Sequence, residues 1–256
     1  MAGVHEDYLS PQFIPMAHRG GALLTANLGI ENTVRAFTNA VALGFRYLET
    51  DVHATIDGHL VAFHDDDVSR VTDEAGSLRS LRLKELQSLR VGGREPIPTL
   101  AELFETFPSC SFNIDIKHVT AVVPLAECIR RHGAERRVCV GSFSRSAIRR
   151  FRSILPQVPT AVSRTGVAAM ALTAVMLGGP VFQVPLNHPV GPVMMDIVTP
   201  RNIARIHRAG RKIHVWTIDE PTTMHRLIDW GVDGIVTDRP DLLKEVLRAR
   251  GMWSTR

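Results

Sequence analysis

Short β-branched runs alternate with amphipathic helical patterns along almost the whole chain, and this alternation restricts the fold more than any other feature. Segments 13–17, 47–53, 111–117, 138–142, 160–163, 181–184, 212–217 and 234–237 read as strands. Segments 33–42, 100–106, 122–131, 145–155, 203–209, 222–230 and 241–248 place apolar residues three and four apart, the spacing of one helix face. Strands separated by helices build βαβ units and a parallel sheet. Eight such strands close a barrel, so the expected fold is a (β/α)8 TIM barrel. No Gly-x-Gly-x-x-Gly follows any strand, which disfavours an open dinucleotide-binding sheet. Thr199-Pro200 and Arg239-Pro240 stand just before helical runs, where proline fits the first turn.

A chain of 256 residues suits one domain, 1–256, whose core buries roughly three-quarters of the unfolded surface. The alternation breaks once, after the second strand. There a short strand ends in His64 and a polar stretch follows, with a helix-like run at 80–90. Residues 65–98 read as a small insertion on the C-terminal face, with too few apolar residues for a core of their own.

The net charge of +4 is spread over pairs such as Arg130-Arg131, Arg136-Arg137 and Arg149-Arg150, without interleaved aromatics. These read as solvated helix faces, and nucleic acid is not an expected partner. Cys110, Cys128 and Cys139 show no CxxC spacing and read as small buried hydrophobes of a reducing compartment. Residues 1–11 lack the basic start and apolar run of a secretory signal, so a cytoplasmic location is expected. Residues 165–195 carry no Asp, Glu, Lys or Arg, but Gly178-Gly179-Pro180 and Pro185, Pro189 and Pro192 interrupt them. They read as a buried helix, a strand and a loop rather than a transmembrane segment. Peripheral membrane contact stays open.

The opening quarter holds, in order, His18-Arg19-Gly20, Glu31-Asn32-Thr33, Glu49-Thr50-Asp51-Val52, Thr55-Ile56-Asp57-Gly58 and His64-Asp65. Barrel active sites form where strands end. The first strand ends in His18 and Arg19. The second carries Glu49 and Asp51, two apart and therefore on one side. The third repeats the device with Asn113, Asp115 and Lys117. Carboxylates aimed together into a barrel mouth repel unless a cation joins them. Glu49, Asp51 and Asp115 are accordingly candidate metal ligands, and an all-oxygen donor set favours Mg²⁺ or Ca²⁺. Alternatively they pair with Arg19 and Lys117 without metal. Arg19 and Lys117 suit phosphate oxygens, and His18 and His64 suit acid and base work near neutral pH. Asp57-Gly58 reads as a hairpin turn. Glu31 and Asn32 either line the site or start a helix.

These motifs, with Pro15-Met16-Ala17 before His18, Ser142-Phe143, Val215-Trp216-Thr217 and the closing run from Gly231 to Pro240, resemble the glycerophosphodiester phosphodiesterase family. The resemblance covers nearly the whole chain. It implies a (β/α)8 barrel, a divalent cation held at Glu49 and Asp51, and acid–base catalysis by His18 and His64. The family usually has glutamate where this chain has Asp115. Trp216 matches a substrate-side aromatic, with a core tryptophan as the other reading. Asp233 and Asp238 are expected to shape the last strand and its turn rather than act directly. The implied reaction cleaves a glycerophosphodiester to glycerol 3-phosphate and an alcohol. In the mechanism the resemblance implies, the cation would lower the pKa of the substrate's own 2-hydroxyl, which attacks phosphorus and expels the alcohol; a cyclic phosphate forms and water opens it.

Two other functions remain as alternatives. One is lysophospholipase D activity on lysophospholipids, for which the apolar loop 189–195 would receive an acyl chain. The other is a barrel that binds phosphodiesters without turning them over.

Overall fold

Strand β1 (Ile14–His18) alternates between the two layers of the core. Ile14 and Met16 pack inside the barrel with Tyr8, Cys139, Val181 and Val236, whereas Ala17 joins the outer cluster beneath the helices. The computed structural model describes residues 7–173, 175–190 and 193–253; at 189, 190 and 193 it describes the backbone alone.

β2 (Tyr47–Ala54) turns at 55–59 and returns as the antiparallel β3 (Leu60–Ala62). Thr55 N–H donates to the His59 carbonyl across this turn, which contains Asp57-Gly58 as expected. The remaining barrel strands are β4 (Ser111–Ile116), β5 (Val138–Gly141), β6 (Val181–Val184), β9 (Lys212–Val215) and β10 (Gly234–Thr237). β7 (Asn187–Val190) and β8 (Val193–Asp196) form a separate antiparallel ribbon. The barrel strands pair in parallel in the order β5-β4-β2-β1-β10-β9-β6.

Closure runs through residues 160 and 161. Thr160 bridges Val140, and Ala161 bridges Val181. The strand expected at 160–163 is thus reduced to two bridging residues. Pro159 has no N–H to donate, and a helix begins at Arg164.

The helices are α1 (Val34–Ala42), α2 (Leu83–Leu86), α3 (Leu100–Thr106), α4 (Val122–Arg131), α5 (Arg145–Ile154), α6 (Arg164–Thr173), α7 (Pro200–Arg208), α8 (Pro221–Trp230) and α9 (Pro240–Ala249). Thr33, Thr99, Ser144 and Thr199 cap α1, α3, α5 and α7 by accepting backbone N–H groups. Gly20 lets the first βα loop press onto α1: a Cβ there would fall 2.8 Å from Ala36.

Four further expectations need correction. The segment 80–90 forms only the four-residue α2. The insertion does build a small core, in which Val68, Leu78, Leu86, Val91 and Ile97 pack on Val61 and Phe63 of the β3 arm. α6 is not a buried helix: Gly166 and Met170 are its buried residues, while Leu172 is 65% exposed. Arg137 is not solvated. It donates to the carbonyls of Phe104, Phe107 and Cys110 and lies over the Phe104 ring, so backbone oxygens replace the missing water. The loop expected at 189–195 includes residues 191 and 192, which lie outside those described; its flanks are β7 and β8. Among the described residues, no helix is long and apolar enough to cross a membrane.

Candidate active site

Strand register brings the polar residues to one level of the barrel. His18 of β1 stands beside Glu49 of β2, Glu49 beside Asn113 of β4, and Asp51 beside Asp115. Lys117 follows β4, His64 follows β3 and Trp216 follows β9. His18, Arg19, Glu49, Asp51, His64, Asp115, Lys117 and Trp216 all line one cavity of about 620 Å³ at the C-terminal ends of the strands.

Both histidines use Nδ1 to hold a carboxylate. His18 Nδ1 lies 2.8 Å from Asp238 Oδ1, and His64 Nδ1 lies 2.6 Å from Asp65 Oδ1. An anion at Nδ1 fixes the proton there and leaves Nε2 free for the cavity. His18 Nε2 is 3.7 Å from Glu49 Oε2. Burial works against a charge on His18, but Glu49 and Asp238 overcome it and raise its pKa.

Arg19 adopts a left-handed backbone, φ 50°, which turns the loop back over the strand ends. Its N–H donates to the Glu49 carbonyl, and its own carbonyl accepts from Asn32, another left-handed residue. Arg19 Nη1 donates to Glu31 Oε1 at 2.9 Å, and Nε lies 3.2 Å from Asp51 Oδ2. Asn32 Nδ2 donates to Asp51 Oδ2 at 3.0 Å, and its Oδ1 accepts from Thr50. Asn32 therefore supports the site from behind, and Glu31 does so through Arg19.

The carboxylates differ in charge state. Burial, reinforced by Asp51, pushes Glu49 up to about 7. Burial also raises Asp115, with Asp51 adding and Lys117 opposing. Burial alone would raise Asp51, yet Lys117 and Arg19 bring it below the usual carboxylate range. Lys117 Nζ lies 2.7 Å from Asp51 Oδ1 and 2.9 Å from Asp115 Oδ2. Glu49 and Asp51 are buried and Asp115 is half-buried; this all-oxygen donor set is of the kind a hard divalent cation takes, while in the structure Asp51 pairs with Arg19 and Lys117, and Asp115 with Lys117. Among the described residues, no three His, Cys, Asp or Glu side chains are gathered as a metal site, and Lys117 stands between Asp51 and Asp115.

Trp216 is half-buried and meets Phe143 edge to face, with ring centroids 5.9 Å apart. Beyond this pair Val162, Val167, Ala171, Leu172 and Ile197 give the cavity wall apolar surface, with Arg164, Thr165 and His188 among them. Cys110, Cys128 and Cys139 are buried and free, as expected. Burial pushes the Cys139 thiol up to about 12, which makes it inert.

Sequence reasoning missed Asp238, reading it as part of a turn. The signal was available: Gly234, Val236 and Asp238 alternate, so a strand whose Val236 faces the barrel interior directs Asp238 to the mouth. Gln183 was also missed. Its Nε2 donates to Asn113 Oδ1 across the barrel at 2.7 Å, a pairing of distant strands that no local pattern announces.

A parallel barrel with its polar cavity at the strand ends is the architecture of a TIM-barrel enzyme. A sequence model of the glycerophosphoryl diester phosphodiesterase family matches residues 18–242. A probable glycerophosphodiester phosphodiesterase 2 of Mycobacterium tuberculosis is 38% identical over 247 residues, covering 94% of this chain and 92% of its own. A glycerophosphodiester phosphodiesterase of Caldanaerobacter subterraneus is 31% identical, covering 92% and 98%. An Oleispira antarctica phosphodiesterase, solved with the product sn-glycerol-3-phosphate, shares the fold with a TM-score of 0.77 at 22% identity, covering 92% and 96%. The chain belongs to the glycerophosphoryl diester phosphodiesterase family and is an enzyme, a phosphoric diester hydrolase.

Proposed function

We propose that the enzyme hydrolyses glycerophosphodiesters to glycerol 3-phosphate and an alcohol, with His18 and His64 as the acid–base pair. The observation that carries this reading is the matched environment of the two histidines. Each holds a carboxylate at Nδ1, and both line the cavity that contains Arg19 and Lys117. One imidazole Nε2 takes the proton of the substrate's 2-hydroxyl as its oxygen bonds to phosphorus, the other gives a proton to the alcohol oxygen as its bond to phosphorus breaks, and water then opens the cyclic phosphate to glycerol 3-phosphate. Arg19 and Lys117 bind the phosphate oxygens and offset the charge that grows on them. Glu49, Asp51 and Asp115 would hold a divalent cation, Mg²⁺ or Ca²⁺, which supplies Lewis-acid stabilisation of that same charge. Trp216 packs against the substrate beside the phosphate.

The test is release of glycerol 3-phosphate from glycerophosphocholine by the purified protein, first with EDTA and then with added Mg²⁺ or Ca²⁺. Activity restored by one ion supports the reading and identifies the ion. Binding of the diester without turnover under every condition would replace it with a non-catalytic barrel.

The apolar residues of the cavity wall favour a second reading, lysophospholipase D activity, in which Val162, Val167, Ala171 and Leu172 receive an acyl chain. Higher kcat/KM on a lysophospholipid than on the matching glycerophosphodiester would support it.

A further inference from the structure

The insertion contributes one side chain that reaches both halves of the site. Arg70 lies in the 3-10 turn Val68–Arg70, whose Val68 is fully buried in the insertion's core. The turn is tied down further: Gly92 N–H donates to the Val71 carbonyl, and Thr72 Oγ1 donates to the Val68 carbonyl. The insertion is also docked on the first βα loop, where Arg94 donates to the Leu28 carbonyl, and on α1, where Arg35 pairs with Glu95. Arg70 therefore projects from a fixed base.

From that base its guanidinium makes three charged contacts. Nη1 donates to Glu31 Oε2 at 3.0 Å and Nη2 to Glu31 Oε1 at 2.6 Å, a bidentate fork. Nε donates to Asp65 Oδ2. Glu31 Oε1 also accepts from Arg19, and Asp65 Oδ1 faces His64 Nδ1. A continuous chain thus runs Arg19, Glu31, Arg70, Asp65, His64. Among the described residues, Arg70 is the side chain that bridges Glu31 and Asp65, and it thereby joins the phosphate-binding arginine to the second histidine.

We propose that Arg70 is a positioning residue that sets Arg19 and His64 together, and that this is the catalytic contribution of the insertion. The inference rests on the phosphodiesterase reading of those two residues. Without Arg70, Glu31 pulls on Arg19 unopposed, and Asp65 is free to rotate away from His64. The first effect weakens substrate binding; the second slows proton transfer. A merely structural arginine would change stability and leave both kinetic constants and the His64 tautomer as they were.

The experiment compares wild type with Arg70→Ala and Arg70→Lys, by kinetics on glycerophosphocholine and by ¹⁵N NMR of the His64 imidazole. Arg70→Ala is expected to raise KM and lower kcat, reducing kcat/KM roughly 10- to 100-fold, as when groups that orient active-site ligands are removed. Low, non-denaturing guanidinium chloride should restore part of this where sodium chloride at equal ionic strength does not. The His64 signals should move from one fixed tautomer to an exchange average. Should Arg70→Ala fail to fold, Arg70→Lys keeps the charge and stem but not the fork, and it should show intermediate loss with wild-type melting. Wild-type kinetics and wild-type His64 signals in a folded variant would overturn the proposal. Absence of turnover in the wild type would instead overturn the phosphodiesterase reading, and the NMR comparison would still decide whether Arg70 holds His64.

Discussion

His18 and Asp238 join the first and last strands of the barrel by a side-chain contact. They are 220 residues apart, yet His18 Nδ1 and Asp238 Oδ1 are separated by 2.8 Å because β1 and β10 are neighbours. Asp238 is itself held from behind, its N–H donating to Asp219 Oδ1 at 2.8 Å. The carboxylate thus fixes the proton on Nδ1 and, in the proposed acid–base role, would favour the imidazolium formed during proton transfer.

Asp238→Asn should lower kcat roughly 10²- to 10⁴-fold, because the amide supplies no negative charge to the imidazole. Glu49 and Asp238 both raise the His18 pKa in the wild type. Removing one anion lowers it, so the limb of the pH–rate profile governed by His18 should move to lower pH. An unmoved limb with full activity would refute the role.

His18→Ala and His64→Ala should each reduce turnover by roughly 10² to 10⁴ while leaving cooperative unfolding intact. Thermal denaturation followed by circular dichroism, alongside single-turnover kinetics, separates the two effects. Loss of the folding transition in either variant would make that histidine structural.

His214 gives the fold a sensitivity to acid that is independent of catalysis. It is fully buried inside the barrel, and neither ring nitrogen has a hydrogen-bond partner among the described residues. Burial, with help from Lys212, lowers its pKa to about 3. The unfolded chain protonates near 6.5 while the folded one does not, so stability falls as pH drops from about 6.5 towards 3, by at most about 1.4 kcal/mol per pH unit from this group. His214→Leu should flatten this part of the curve. Urea titrations at several pH values would test it, and parallel curves for the two proteins would contradict it.

Glu49 should release a proton when a cation binds. With its carboxyl at about 7 in the ion-free protein, an ion ligated there at pH 7 displaces about half a proton, and less as the pH rises above that value. Calorimetric titration of Mg²⁺ in two buffers of different ionisation heat measures the release. Glu49→Gln should abolish it.

Most of the barrel was legible because its signals are local. The apolar spacing of α4 and the alternation of β2 each lie within one element. The same holds for Glu49 and Asp51, whose shared side follows from strand geometry alone. Contacts between distant segments were not legible. The Asp238 partner of His18, the Gln183–Asn113 bond across the barrel and the Arg70 fork on Glu31 all depend on how strands and loops meet in space. The strand at 160–163 failed for a different reason: its β-branched residues suit a strand, but a proline before it and a helix after it leave it only two bridges.

The lower half of the barrel is filled by Tyr8, Ile14, Met16, Cys139, Val181 and Val236. Among the described residues, the cavity is consequently closed at its base. Whatever enters by the mouth must also leave by it, and the two fragments of a cleaved diester share one exit with the incoming water. The fragment nearer the opening has to depart first, and a slow departure there holds back every later event in the turnover.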